Sequence, residues 1–366
     1  MSYFTDLQDA IERGKLGLNT GLPMGSLDKL LSIVPNIQQR TYYLVAGEPG
    51  GGKSAFALNS FLYNPFSLLR AHNPNKLTFK VFMWALEIPK IDIIAKAVCR
   101  KLYFKHGYVV DVNLVLSKGK NRITDEVYKD AMELSYFYDE IEEIFQIYPP
   151  ENPTGIYHTM TDYAKKNGEI ITKSYQGSDG VTREAFDKYI PANPNEYVII
   201  LIDHVGLLRR ERGFDAKQTI DKMSEYMVSL RNMYGYIPVM VQQISRSMST
   251  TDRFKLKRVE PQLSDLKQTA NTQEDANIIF SLFSPARYDF EEHRGYNITQ
   301  LLDRYRYLSV LKNRDGEADV GLGLNFIGEI GAFAELPASK ILDLSGYQPY
   351  INFNKIENIV EDEKDE

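Results

Sequence analysis

The sequence predicts an α/β fold with a mostly parallel central sheet, helices on both of its faces, and a β-hairpin near the C-terminus. Three observations carry this. The octapeptide GEPGGGKS at 47–54 lies between a β-branched and aromatic run, TYYLVA, and a segment of good helix formers, KSAFALNSFLY. Nearly continuous apolar runs recur with helical patterns between them, as strands covered on both faces require. A last pair of alternating segments, in YLSVLKNRDGEADVGLGLNF, encloses the turn signal Asp315-Gly316.

The elements follow in order. TDLQ opens a short amphipathic helix over 5–13 with a capping-box pattern, Thr5 and then Gln8, and places Phe4, Leu7 and Ile11 on one side. GLNTGLPMGSLDKLLSI is turn-rich and then apolar, and TYYLVA at 41–46 runs into the glycine loop. Further strands are predicted at 79–85, 197–202, 236–241, 277–283 and 307–311. KQTIDKMSEYMVSLRNM makes a crossover helix in which Ile220, Met223, Met227 and Leu230 are core residues. The stretch from about 104 to 196 is weakly organised and reads as an insertion, containing a surface hairpin at 168–190 with GSDG at its turn. The chain divides into a helix at 1–16, a main domain at 17–352 and an acidic, solvated tail at 353–366.

Composition excludes several classes. With 366 residues, 43% of them hydrophobic, the chain can bury a substantial core. It contains no apolar run of the ~18 residues that would suggest a membrane span, and MSYFTDLQDAIERG lacks the layout of a signal peptide. The expected location is cytoplasmic, with no membrane partner. A single cysteine, Cys99, rules out an internal disulfide framework and a cysteine-based zinc site, and its apolar helical context reads as a buried thiol. The net charge of −6 argues against a nonspecific coat on nucleic acid and leaves room for a local basic groove.

GEPGGGKS has the form GxxxxGK[ST]. In such a loop glycines let successive backbone N–H groups converge on phosphate oxygens at a helix N-terminus. Gly47, Glu48, Pro49, Gly50, Gly51, Gly52, Lys53, Ser54 and Ala55 are therefore the candidate nucleotide-binding residues. Lys53 would reach the β- and γ-phosphates and Ser54 would ligate Mg²⁺. Hydrolysis needs a second metal ligand and a group that polarises water. Asp203, at the end of YVIILI, and Glu87, just after FMWAL, supply these at strand ends. The cofactors implied are ATP and Mg²⁺. Each acid also has the plain alternative of a solvated residue after a strand, and His204 reads as structural.

GLPMGSLDKLL, FMWALE, YVIILIDHVGLL, VMVQQISR, PQLSDLKQTANTQEDANIIFSLF and VLKNRDG resemble, in the same order, the motifs of the helicase domain of DnaB-like replicative helicases. The resemblance runs from about 17 to 335 and implies a RecA-like ATPase core. It assigns Glu87 as the catalytic glutamate, Asp203 as the Walker B aspartate, and Gln243 as the sensor joining the γ-phosphate to the DNA-binding loop. Lys312 and Arg314 match the lysine and arginine finger offered to a neighbouring subunit. The chain departs from the family at His204 and Gly206, where tyrosine and glutamine are usual, and KNRDG replaces KQRNG. The helix at 1–16 corresponds to the family's linker helix. The separate N-terminal domain with which bacterial members meet primase has no counterpart in the sequence.

By matching position, RSMSTTDRFKLKR at 246–258 lines the channel of a ring, with Arg246, Arg253, Lys255, Lys257 and Arg258 as candidate DNA contacts. RRERGFDAK at 209–217 occupies the other channel-facing position, its charge diluted by Glu211 and Asp215. The resemblance implies an ATP-driven ring helicase on single-stranded DNA, expected to be a homo-hexamer, in a bacterial cell or phage-infected host, with a primase or helicase loader as further partner classes. Two other readings stay open: a RadA- or KaiC-like ATPase without unwinding, and a non-hydrolysing nucleotide-binding scaffold or loader.

Overall fold

The computed structural model describes residues 3–25, 27–244, 259–342, 346–352 and 354–355. The chain opens with helix α1, Tyr3–Lys15, followed by strand β1, Tyr43–Gly47, and helix α2, Lys53–Leu58. Next come β2, Thr78–Ala85, helix α3, Lys90–His106, β3, Phe145–Tyr148, and helix α4, Pro153–Lys166. The hairpin β4, Gly168–Gln176, and β5, Thr182–Pro191, leads to β6, Glu196–Asp203. Helix α5, Ala216–Tyr234, β7, Ile237–Gln243, helix α6, Ala270–Asp275, and β8, Ile278–Phe283, complete the parallel part. Strands β9, Tyr305–Asn313, β10, Val320–Ile327, and β11, Ala332–Glu335, close the sheet.

These strands form one nine-stranded sheet in the order β11-β10-β9-β8-β1-β7-β6-β2-β3. From β8 to β3 every pairing is parallel, and β9, β10 and β11 are added antiparallel. Alternate residues of the parallel strands point to opposite faces, and both faces are covered. Val45, Met83, Leu201 and Phe280 pack with Phe56 of α2 and with Ile93 and Leu102 of α3. Leu44, Trp84, Ile200 and Met240 pack with Ile156 of α4 and with Ile220, Met223, Met227 and Leu230 of α5. This explains the unbroken apolar runs, and it confirms the α5 methionines as core. Cys99 of α3 is buried, and burial pushes its thiol up to about 12.

Several expectations are corrected. The stretch 104–196 is not peripheral as a whole. Its segment FQIY is the edge strand β3, paired with β2 from Val81↔Phe145 to Trp84↔Tyr148, and α4 covers one face of the sheet. Four residues directly after an acidic helix are too few to register as a strand pattern. Only β4 and β5 stand off the core. Their turn closes through Gly177 N–H to the Val181 carbonyl, as GSDG predicts, and Phe186 and Tyr189 set their ring edges on Tyr234 of α5.

Asp315-Gly316 does not form a tight two-residue hairpin turn. The last β9–β10 pair is Val310↔Val320. A bulge between Val310 and Lys312 carries the rest of β9 along β8, so a wide connection follows, ending at Asp319 with φ 58. The helix after the phosphate loop passes through a π turn at Asn59–Tyr63. Asn354–Lys355, expected in a solvated tail, pairs in parallel with Tyr108–Val109, while 356–366 lies outside the described residues. Among the described residues no helix is long and apolar enough to cross a membrane.

Candidate functional site

The site lies at the carboxyl edge of the parallel strands, where β1, β2, β6 and β7 release Gly47, Glu87, Asp203 and Gln243. Gly47 is required by close approach: a Cβ there would sit 2.8 Å from the Leu282 carbonyl oxygen. Gly52 caps α2 with φ 94, and its Cβ would meet Phe333 at 3.2 Å.

Donors from distant sequence hold the loop from behind. Arg306 Nε donates to the Gly51 carbonyl at 3.0 Å and Arg287 Nη2 to that of Gly50 at 3.0 Å. Arg287 Nη1 also donates to the Pro49 carbonyl, and Tyr288 donates its hydroxyl to the Glu48 carboxylate. With its carbonyls engaged this way, the loop's shape is set by the protein itself. Arg306 is almost fully buried, and its second anchor is Asp303, 3.1 Å away. Sequence reasoning missed these residues; the only signal was a charge inside the otherwise apolar and aromatic strand β9. Arg306→Met is expected to leave the Gly51 carbonyl unpaired and to weaken nucleotide binding roughly tenfold, as read in a fluorescent-nucleotide titration.

Ser54 Oγ donates to Asp203 Oδ1 at 2.8 Å, so the two candidate metal ligands already touch. Two hard oxygen donors beside a phosphate loop suit Mg²⁺, which keeps several waters and takes its remaining ligands from phosphates. Among the described residues no cluster of three or more His, Cys, Asp or Glu could hold a metal without such help.

Asp203 is 2% exposed, and burial pushes its carboxyl up to about 6 despite the Ser54 hydrogen bond. Lys53 donates to the Glu48 carbonyl at 2.7 Å, and burial pulls its ammonium down to about 8, against the attraction of Asp203 and Glu87. The raised carboxyl contributes stability below its ordinary range and loses it as pH rises through about 6. The depressed lysine contributes stability above its ordinary range and loses it as pH falls through about 8. Near neutrality both losses overlap, and the site without ligand is strained by charge. Asp203→Asn is expected to melt about 1–3 °C higher at pH 7, with the gap closing by about pH 5, below the point where Asp203 itself takes a proton. Thermal denaturation at the two pH values measures this.

Glu87 is exposed, with Oε2 4.0 Å from His204 Nε2. Gln243 turns to the same cleft, its amide 3.3 Å from His204 Nε2. Strand alternation sends its neighbour Gln242 into the core, where Thr272 of α6 donates to it at 2.9 Å. His204 is held neutral by burial, which lowers its pKa. The resulting cleft of about 320 Å³ brings together Gly50, Lys53, Ser54, Glu87, Asp203 and Gln243. Lys96 and Phe326 also line it and were not anticipated.

Lys312 and Arg314 are elsewhere. Lys312 lies beside Ile279, which is one residue from the start of β8, whereas Gly47 lies beside Leu282 near its end. The two cations therefore sit at the opposite edge of the sheet. Lys312 donates to the carbonyls of Gln273 and Glu274 at 2.8 and 2.9 Å, and Arg314 to that of Glu274 at 3.4 Å, at the C-terminal end of α6.

Arg246, Arg253, Lys255, Lys257 and Arg258 lie outside the described residues. In the 209–217 loop, the expected dilution of charge is corrected. Glu211 turns inward to accept from the Thr154 N–H at 2.7 Å and to face Lys222, and Asp215 caps α5. Arg209, Arg210 and Arg212 are left exposed.

Residues 171–335 match the family model of the DnaB-like helicase C terminal domain. Over 110 residues the chain is 24% identical to the replicative DNA helicase DnaB of Mycobacterium leprae (strain TN), a match spanning 30% of this chain and 17% of that protein. A solved helicase ATPase domain is similar at a TM-score of 0.67 and 20% identity, covering 92% of this chain and 99% of that one. A DnaB-like replicative helicase, solved with attention to its interactions with primase, gives a TM-score of 0.63 and 20% identity, covering 92% and 68% of the two chains. The fold is that of RecA-like helicase ATPase domains.

Proposed function

We propose that this chain, similar in fold and across residues 171–335 in sequence to DnaB-like helicases, hydrolyses ATP with Mg²⁺ to move along single-stranded DNA as a ring and unwind duplex. The observation that carries the reading is the convergence of Lys53, Ser54, Glu87, Asp203 and Gln243 on one cleft, with the Lys312 and Arg314 pair at the opposite edge of the same sheet. Half a site faces one way and the other half faces the other, which suits a head-to-tail ring. When bound, Mg²⁺ offsets charge on the phosphates, and Ser54 and Asp203 would hold it. Lys53 leaves the Glu48 carbonyl for the phosphates. Glu87 orients and polarises the attacking water.

The apolar stripe of α1 supports assembly: Phe4, Leu7, Ile11 and Leu16 are 73%, 58%, 50% and 69% exposed, so a second copy is their natural cover. For DNA, the exposed Arg209, Arg210 and Arg212 leave the same sheet edge as the cleft. Replacing all three by alanine is expected to weaken binding to an oligothymidylate and to lower the magnitude of the salt slope by about 0.7 for each phosphate no longer neutralised. Fluorescence anisotropy between low and moderate salt reads both.

The test of the function is strand release from a forked substrate. ATP should drive release and a non-hydrolysable analogue should not. DNA-stimulated turnover with no strand released would favour a RadA- or KaiC-like ATPase instead, and absence of turnover would favour a scaffold or loader.

A further inference from the structure

His204 and Gly206 are the two departures from the family pattern after Asp203, and in the structure they act on each other. The Gly206 N–H donates to His204 Nδ1 at 3.2 Å. A Cβ at 206 would lie 2.8 Å from His204 Cε1 and 3.2 Å from Nδ1. Any larger residue there must displace the imidazole, so histidine at 204 goes with glycine at 206. A ring nitrogen that accepts a backbone N–H carries no proton, which puts the single proton of the neutral ring on Nε2. Nε2 lies 3.3 Å from the Gln243 side-chain amide and 4.0 Å from Glu87 Oε2. Facing a donor, the amide presents its carbonyl oxygen. One N–H therefore has two acceptors, and it cannot bond fully to both.

We propose that His204, kept in place by Gly206, is the positioning residue that couples Glu87 to Gln243 through this one shared donor. When Nε2–H bonds the Gln243 carbonyl, the Glu87 carboxylate is free to polarise water. When it bonds Glu87, that carboxylate is occupied and Gln243 is released, immediately before the chain enters 245–258. Water activation and the state of the segment after β7 thereby exclude or permit each other. The inference rests on the proposed roles of Glu87 and Gln243.

The test compares ATP turnover with and without oligothymidylate in the wild type, H204F, H204Q, G206A and the H204F/G206A double variant. H204F keeps the ring and loses the donor; H204Q returns an N–H near the Nε2 position. The ratio of stimulated to unstimulated turnover is expected to fall roughly tenfold in H204F and in G206A, to recover substantially in H204Q, and to be no lower in the double variant than in H204F, because both changes remove one interaction. If H204F does not fold, G206A with H204Q carries the same comparison. A stimulation ratio unchanged in H204F and G206A, no recovery in H204Q, or additive losses in the double variant overturns the coupling while leaving the helicase reading intact. A wild type with no ATP turnover overturns that reading and the coupling with it.

Discussion

Glu87→Gln is expected to lower ATP turnover by about three orders of magnitude, the scale of a lost general base, while the protein still binds nucleotide. Glutamine keeps the shape of the side chain, and Glu87 is exposed, so the fold has little at stake. The residues proposed to hold the phosphates and the metal, Lys53, Ser54 and Asp203, are untouched. Electrostatics favour binding in the variant, because Glu87 is one of the charges holding the Asp203 carboxyl up at about 6. Removing it lets Asp203 ionise more readily, so the dissociation constant for Mg²⁺-nucleotide should stay level or fall. Single-turnover hydrolysis and a fluorescent-nucleotide titration on the same sample separate the two effects. Turnover within tenfold of wild type would move water activation away from Glu87.

The parts of the site that the sequence revealed share one physical basis. In a parallel sheet every strand delivers its last residue to the same edge, so a polar residue closing an apolar run is a marker of position. Glu87, Asp203 and Gln243 were legible for that reason, and the phosphate loop because its glycines sit between a strand and a helix. What stayed hidden depends on contacts distant in sequence. Arg287 and Arg306 approach the loop carbonyls from the far side of the chain, and no local pattern marks them. Glu211 counted as a surface acid until Thr154 claimed it. His204 looked structural because its partners are more than 35 residues away: Gln243 follows at |i−j| = 39, and Glu87 comes far earlier. The edge strand β3 was too short to show periodicity, and the bulge in β9 moved the expected turn away from Asp315-Gly316.

Arg314→Ala is expected to cost about a thousandfold or more in turnover, the range of an arginine acting on another subunit's nucleotide, with nucleotide binding retained. The sheet register makes a role in its own chain's site untenable, because Arg314 and Lys312 stand at the edge opposite the phosphate loop. Their surroundings suggest that an anion is wanted. Burial lowers the Lys312 pKa, and the adjacent Arg314 lowers it further. The α6 carbonyls partly offset that repulsion, and a neighbour's phosphates would do so more completely.

Mixing decides whether the action is between chains. Glu87→Gln has an inactive cleft and an intact finger; Arg314→Ala has an intact cleft and no finger. Each alone should be silent. Subunits exchanged at equal amounts create some interfaces with an Arg314→Ala cleft facing a Glu87→Gln finger, roughly a quarter of the total in a head-to-tail ring. Turnover should reappear to about that extent if neighbouring sites fire independently, and to less if they must fire in sequence. A mixture that exchanges subunits yet stays silent would point to a strictly sequential ring, and an Arg314→Ala chain as active as wild type would remove the finger altogether.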